Sequence, residues 1–429
     1  MFVGTAKYST YDVMNAFFDE GSFQETDAYL KSSDGDAEAV TGFGCVDGIP
    51  VYAFAQNVDN CGGAMSKAQA KKITKLYNLA LKTGAPVVGF YNSVGGRLEQ
   101  KYELLAAYGD ILRKSAKLSG VVPQISVVLG DCLGTSALTA ASADYVIMDE
   151  SAQLSASTTG ESSSADDNLN SGTVSFVCDG FEECVSKAKA LLSYMPSNNL
   201  EPAPAFEGVP EYSQPDKLPK YFADENSILC VGGGYGEPVC TAFGRVNGYP
   251  VGIVVTKGGV ISSDASKKIA KHVHFCDAFS IPVISIVDAE GFESLLDASK
   301  LISVYSDATA PKVAIISGTA VGAVYIAMAG SASGADVVYA LPNAVVSPVA
   351  PKAAAFILEP SIGDAPVAEQ DSKAMAYVKA NLTAVKAAED GYVDDIVAPE
   401  QLREKLMSVL DMLSSKRVAT LPKKHTTNI

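Results

Sequence analysis

Histidine is scarce. The chain has three, His272, His274 and His425, and none falls in the glycine-rich turns described below. No Ser-His-Asp arrangement is suggested. His272 and His274, in KKIAKHVHFCDAF, read as ordinary helix residues. Basic residues are also few, with 33 Lys and Arg against 49 Asp and Glu and a formal charge of −16. A field of that sign repels polyanions, which argues against a nucleic-acid or anionic-membrane surface and leaves any anionic ligand to local cations. No apolar run reaches about 18 residues, and the start MFVGTAKYST lacks the basic flank and apolar core of a signal peptide. A soluble, cytoplasmic chain without direct membrane insertion is expected. The eight cysteines contain no CxxC pair, and the closest two are Cys178 and Cys184. Reduced, mostly buried thiols follow, without disulfides or a metal site.

Apolar residues, in contrast, make up 48% of the 429 positions and charged ones 19%, enough for a large core in two domains. The chain also repeats itself. GFGCVDGIPVYAFA and AFGRVNGYPVGIVV align Gly44, Gly48, Pro50 and Val51 with Gly244, Gly248, Pro250 and Val251. Lys71-Lys72-Ile73 then pairs with Lys267-Lys268-Ile269, and Ala85-Pro86-Val87-Val88 with Ile281-Pro282-Val283-Ile284. Pro123, Gly130 and Gly134 pair with Pro311, Gly318 and Gly322, and Ala143-Asp144 with Ala335-Asp336. The offset drifts between 200 and 188, as loop insertions would make it.

Each half has the same order: a hairpin, a helix opening near a serine, a β-rich run after Ala-Pro or Ile-Pro, a second helix and another β-rich run. VVGFYNS, ISVVLGD, ISIVDAE and VAIISGT are short and β-branched, as suits strands buried on both faces, and their alternation with helices predicts an α/β class. The polar stretch Ser157 to Gly172 predicts a mobile loop, CVSKAKALLSYM (Cys184 to Met195) a helix, and the proline-rich Leu200 to Pro219 an extended linker. The domain boundary is placed between residues 210 and 211.

A strand that runs into Gly-x-x-x-Gly and then a helix aims free backbone N–H groups at whatever lies before the helix. Such donors suit a developing oxyanion. Gly134, Thr135 and Ser136 in the first half and Gly322, Ala323 and Val324 in the second are the candidates. Small residues there also permit close packing of helix on strand. Two equivalent turns make an enzyme that stabilises two oxyanions a reading of its own.

FFDEGSFQETDAYL (Phe17 to Leu30), VTGFGCVDGIPVYAFAQN (Val40 to Asn57), TGAPVVGFYNSVGGR (Thr83 to Arg97), SGVVPQISVVLGDCLG (Ser119 to Gly134), HFCDAFSIPVISIVDAEGF (His274 to Phe292), GYVDDIV (Gly391 to Val397) and LPKKHTTNI (Leu421 to Ile429) carry a resemblance. In colinear order they make the chain similar to the biotin-dependent acyl-CoA carboxyltransferases. That family includes propionyl-CoA carboxylase β subunits and the α subunits of methylmalonyl-CoA and glutaconyl-CoA decarboxylases. The resemblance implies two tandem crotonase-like domains, ββα superhelices arising from an internal duplication, with an acyl-CoA side at residues 1–210 and a biotin side at 211–429. It also implies carboxyl transfer between carboxybiotin on a carrier protein and the α-carbon of a short acyl-CoA.

On that resemblance Gly134, Thr135 and Ser136 hold the thioester oxygen, and Gly322, Ala323 and Val324 polarise the biotin ureido oxygen. Gly95, Gly96, Arg97, Gly291, Phe292 and Tyr325 contribute to cofactor binding, with Arg97 matching the arginine that closes the family's Asp-Ser-Gly-Gly-Ala-Arg turn. Lys67, Lys71, Lys72 and Lys75 read as a solvated helix face rather than coenzyme A contacts. The chain has no Walker motif and no Met-Lys-Met of a biotinyl carrier. The implied partners are therefore a biotin carboxyl carrier protein and biotin carboxylase or decarboxylase-complex subunits, in a homo- or hetero-oligomer that could be a hexamer.

The sequence departs from the family pattern mainly on the biotin side. Asn92 replaces an acidic residue, a loop with a His-Gly pair after Phe292 is missing, and Ser347 to Leu358 carries two prolines. Ala323 stands where relatives have glycine, so backbone strain is expected there, and Ile326 replaces an Asp that helps select the acyl group. The alternative reading is a catalytically weakened paralogue with a structural or regulatory role. A crotonase-type hydratase or isomerase is disfavoured, because no paired carboxylates stand out at the turns.

Overall fold

The computed structural model describes residues 8–33, 35–157, 163–205, 218–361 and 365–418. They form two compact units. One runs to Pro204 and includes Gly232–Gly234; the other holds Ala205–Val231 and the chain from Tyr235 onward.

Each unit has its own eight-stranded sheet with the same strand order. In the first, the ladder runs Gln24–Thr26, Ala39–Val46, Ile49–Gln56, Val87–Ser93, Gln124–Leu133, Tyr145–Asp149, Phe176–Cys178, with Gln153–Ser155 beside Gln124–Leu133. In the second it runs Leu229–Val231, Cys240–Val246, Tyr249–Val255, Val283–Ala289, Lys312–Val321, Val337–Ala340, Asp395–Ile396, with Val345–Ser347 beside Lys312–Val321. Antiparallel hairpins open both sheets and parallel crossovers complete them.

The pairing register reproduces the offsets read from the sequence. Val87 faces Gln124 in one half and Val283 faces Lys312 in the other. Equivalent strands are buried on both faces, as their β-branched runs require. Each proline that precedes a central strand gives only its carbonyl to the ladder: Val87 N–H donates to Pro123 O at 2.9 Å and Val283 N–H to Pro311 O at 2.8 Å. The loss of a donor at proline therefore costs the sheet nothing.

Serine caps open the long helices. Ser66 accepts from Gln69 N–H before Lys67–Thr83, and Ser262 from Ala265 N–H before Ser263–Ala278, each worth about 1 kcal/mol. Helices and sheet then close over separate cores, one around Phe54, Ile73, Ile111 and Met148, the other around Phe222, Ile253, Ile284 and Leu402.

Three local expectations need correction. The polar stretch after Ser157 is not all loop: Ser164 caps a short helix, Ala165–Asn170, with Ala165 buried. The next helix is Phe181–Leu192, three residues earlier than its apolar pattern indicated, because Gly180 at φ 90° supplies the entry turn. Lys72 is not solvated; it is buried and reaches Glu25 at 3.6 Å, while Lys67 and Lys75 are exposed in ion pairs with Glu103 and Asp27. Most of the expected linker, 206–217, and the C-terminal LPKKHTTNI with His425 lie outside the described residues. Among the described residues no helix is long and apolar enough to cross a membrane.

Candidate active site

The strand Gln124–Leu133 delivers the chain to Gly134 at φ 65°, ψ −138°, and the helix Thr135–Ala141 follows at once. Gly134 N–H donates to Ser155 O at 2.8 Å, fixing the turn to the short neighbouring strand. The second half repeats this device. Gly322 sits at φ 47° and its N–H donates to Ser347 O at 2.8 Å. The next two N–H groups, of Thr135 and Ser136 or of Ala323 and Val324, stand where a helix start leaves donors without intrahelical acceptors, and none is found for them among the described residues.

Two details of the second turn differ from expectation. The left-handed angle falls on Gly322, not on Ala323, so Ala323 carries no such strain. The turn leads into a five-residue π-helix, Tyr325–Ala329, rather than an α-helix. The prolines beyond it are accommodated as well, since Pro351 takes the first position of the helix Pro351–Leu358, where no N–H is needed.

The first glycine of each Gly-x-x-x-Gly has another cause. The strand that carries this glycine holds the extra residues of a β-bulge, since Tyr91 and Ser93 pair with Val128 and Cys132, and Val287 and Ala289 with Ile316 and Ala320, so that Asn92 or Asp288 stands opposite the glycine. A Cβ on Gly130 would lie 2.6 Å from the Asn92 side chain, and one on Gly318 would collide with the Asp288 carboxylate. The recurring Ala-Asp is structural too. Asp144 and Asp336 each accept the N–H that starts the preceding strand, from Gln124 and Lys312, at 2.8 Å.

The two turns are supported differently. Ser136 is fully buried, and its hydroxyl lies 2.9 Å from Tyr108 OH and 3.4 Å from Ser93 Oγ. Tyr108 OH also donates to Gly95 O at 3.0 Å, and Ser93 Oγ donates to the same carbonyl at 3.1 Å. Three hydroxyls thus tie the Gly134 turn to the Asn92–Arg97 turn. Burial pushes the Tyr108 phenol up to about 12, so it stays protonated. In the second half, Ala289 and Val324 occupy the positions of Ser93 and Ser136, and the buried helix stripe puts Ala298 where Tyr108 stands. Tyr108 was hidden in the sequence by an apolar helical stripe; the available signal was that a buried phenol needs a hydrogen-bond partner.

The expected binding residues also fall into equivalent places. Gly96 bridges Met65 in parallel, and Gly291–Phe292 pairs with Val260–Ile261 in the same way. Arg97 is buried: its guanidinium lies 2.9 Å from the wholly buried Glu38 and also reaches Glu99 and Ser32. Tyr325 OH donates to Tyr392 O at 2.7 Å, in the segment that reads GYVDDIV. No described histidine belongs to either turn; His272 lies buried in the helix Ser263–Ala278, and burial depresses its imidazole to about 4. Among the described residues no group of three or more His, Cys, Asp or Glu could hold a metal ion.

Residues 7–429 match the family model described as the carboxyl transferase domain. The chain belongs to the carboxyl transferase family. It is 33% identical to the methylmalonyl-CoA decarboxylase subunit alpha of Veillonella parvula, covering 98% of this chain and 92% of the relative. It is also 33% identical to the methylmalonyl-CoA carboxyltransferase 12S subunit of Propionibacterium freudenreichii subsp. shermanii, over 98% and 91%. The crystal structure of transcarboxylase 12S, with hydrolysed methylmalonyl-coenzyme A bound, superposes with a TM-score of 0.92 at 31% identity, covering 98% of this chain and 92% of that one. The expected crotonase-like duplicated fold and the class of biotin-dependent acyl-CoA carboxyltransferase are therefore met.

Proposed function

We propose that the chain is a carboxyltransferase subunit moving a carboxyl group between biotin on a separate carrier protein and the α-carbon of a short acyl-CoA, with methylmalonyl-CoA or propionyl-CoA first in line. The observation that carries this is the pair of equivalent turns at Gly134 and Gly322, each leaving two backbone donors unused. The donors of Thr135 and Ser136 receive the thioester oxygen as negative charge builds on it; a donor of this kind is worth about 10²–10³ in rate. Those of Ala323 and Val324 receive the ureido oxygen of biotin. Exposed Ala323 and half-buried Gly322 leave that side accessible, which fits the group. Biotin, when bound, supplies or accepts the carboxyl group.

In this reading Gly95 and Gly96 wall the acyl-CoA side, and Gly291, Phe292 and Tyr325 the biotin side. Arg97 holds the Gly95–Gly96 turn through Glu38 instead of meeting a coenzyme A phosphate. The reading includes a cytoplasmic location, a biotin carrier partner, and a site shared between the first half of one copy and the second half of another. Exposed apolar side chains flank both turns and support such an interface. Leu98, Tyr102, Leu105 and Leu138 do so in the first half, with Tyr102 84% exposed, and Leu295, Leu296 and Ile326 in the second, with Leu295 90% exposed. Transcarboxylase 12S assembles as a hexamer.

One observation favours a second reading, a catalytically weakened paralogue with a structural role: among the described residues the second turn has neither the hydroxyl support of the first nor an α-helix like Thr135–Ala141. Isotope transfer decides between them. Purified chain, its mass in solution checked for an oligomer, is given methylmalonyl-CoA labelled in its free carboxyl, with biotin or a biotinyl carrier. Label transfer lost on bulky substitution at Gly134 and at Gly322 is expected. Acyl-CoA binding without any transfer supports the paralogue.

A further inference from the structure

Cys230 and Cys240 lie on adjacent antiparallel strands at the edge of the second sheet, Leu229–Val231 and Cys240–Val246. The register sets Cys230 opposite Ala242, so Cys240, two residues away, shares its face as a diagonal neighbour. Their Sγ atoms are 3.9 Å apart, with the Cys240 thiol donating to Cys230. Cys230 is exposed and Cys240 half-buried. The edge strand is three residues long and is followed by Gly232 at φ 65°, so it can make the short shift from contact to a bond of about 2.05 Å.

Two cations lie near the pair. Lys268 is buried and donates to Tyr235 O at 2.7 Å and Val239 O at 2.9 Å. It and Lys257 favour loss of the Cys240 proton, but the hydrogen bond to Cys230 and burial outweigh them and push the Cys240 thiol well up, so Cys240 keeps its proton; Glu237 acts on Lys268. Cys240 is therefore the thiol that donates and Cys230 the exposed sulfur that accepts, which suits Cys230 as the attacking group. No third His, Cys, Asp or Glu joins the pair in a metal-binding group among the described residues. Neither thiol has a part in the proposed carboxyl transfer.

We propose that Cys230 and Cys240 form a redox modification site that takes a low-molecular-weight disulfide, with Cys230 attacking and Cys240 resolving. The Cys230 thiolate bonds to one sulfur of the disulfide and expels the other as a thiolate. Cys240 loses its proton and attacks the Cys230 sulfur, expelling the second thiolate. Two protein thiols are oxidised and the small disulfide is reduced to two thiols; the two protons that the cysteines lose are taken up by the two expelled thiolates. The new bond closes the 231–239 loop, which supplies both carbonyl acceptors of Lys268 and the Tyr235 hydroxyl that reaches Asp264 at 3.0 Å. Oxidation therefore locks the edge strand Leu229–Val231 to Cys240–Val246 beside the loop that Lys268 already holds.

Oxidised glutathione is the probe. The full chain is incubated across a series of glutathione ratios, quenched with N-ethylmaleimide and digested with trypsin. Tyr221 to Arg245 contains no internal Lys or Arg, so one peptide carries both cysteines. It is expected to become two hydrogens lighter and unalkylated, and cleavage after Tyr235 should leave its parts joined until reduced. Cys240→Ser should stop at a glutathione adduct on Cys230. Full alkylation of both cysteines at every ratio, or separate adducts without a link, overturns the proposal.

Discussion

Replacing Tyr108 by Phe removes one buried hydroxyl and little volume. The lost bonds are those to Ser136 Oγ, 2.9 Å, and Gly95 O, 3.0 Å. Gly95 O keeps two donors, Ser93 Oγ and Met65 N–H, so it is not orphaned. Ser136 Oγ keeps only the longer contact to Ser93. At about 0.5–1.5 kcal/mol net per hydrogen bond, the change costs about 1–2 kcal/mol, borne mainly by the Gly134 turn. If the donors of Thr135 and Ser136 stabilise charge that appears only in the transition state, looser positioning lowers kcat about tenfold and leaves KM within about twofold.

The assay is steady-state carboxyl transfer by the unaltered chain, Tyr108→Phe, Ser136→Ala and the double variant, with melting followed in parallel. Because the phenol stays protonated to about pH 12, the pH–rate profile below that should keep its shape. The double variant should lose little more than either single one, since both break one network. Tyr108→Phe with reduced melting temperature and unchanged kcat would falsify the positioning role and leave a purely structural hydroxyl.

Gly318→Ala should destabilise the second half by about 1–3 kcal/mol, because the new methyl collides with the Asp288 carboxylate, which also accepts Thr319 N–H at 2.8 Å; a melting temperature equal to that of the unaltered chain refutes it. His272 has a folded pKa of about 4 against 6.5 unfolded, so the unfolded chain binds more protons between those values and stability falls as pH drops through that window. Relative to His272→Leu, the unaltered chain should lose about 2 kcal/mol between pH 7 and 4.5 in denaturant titrations; parallel curves for the two would contradict it.

Much of the fold was legible because the duplication kept backbone devices in view. Pro123 and Pro311, Asp144 and Asp336, and Gly134 and Gly322 are read directly as pairs, and the strand register repeats their offsets. What was not legible depends on partners distant in sequence. Lys72 looks solvated within SKAQAKKITKLY, yet Glu25 lies beside it in the fold. Arg97 looks like a phosphate ligand in its turn until Glu38, 59 residues earlier, occupies it. Ala323 looked strained because the motif indicates that a glycine is needed but not which residue takes the left-handed angle.

The two halves therefore differ in a selective way. Devices that set the backbone, the left-handed glycine, the aspartate clamp and the proline carbonyl, are retained in both, because each fixes strand register or turn direction whatever ligand is met. The side chains beneath the turns are not retained: Ser93, Tyr108 and Ser136 are polar in the first half, and Ala289, Ala298 and Val324 are apolar in the second. Both sets are buried, so solvent exposure does not explain the difference. A turn held by three hydroxyls is rigid and suits an oxygen whose charge changes during reaction, where preorganised donors matter most. A turn packed on methyl groups can adjust, which suits a group that must enter and leave on a carrier. The asymmetry supports the proposal that Gly134 meets the thioester oxygen and Gly322 the carrier-borne group, and on that proposal exchanging Ser136 for Val should weaken transition-state stabilisation while leaving the Gly322 turn unchanged.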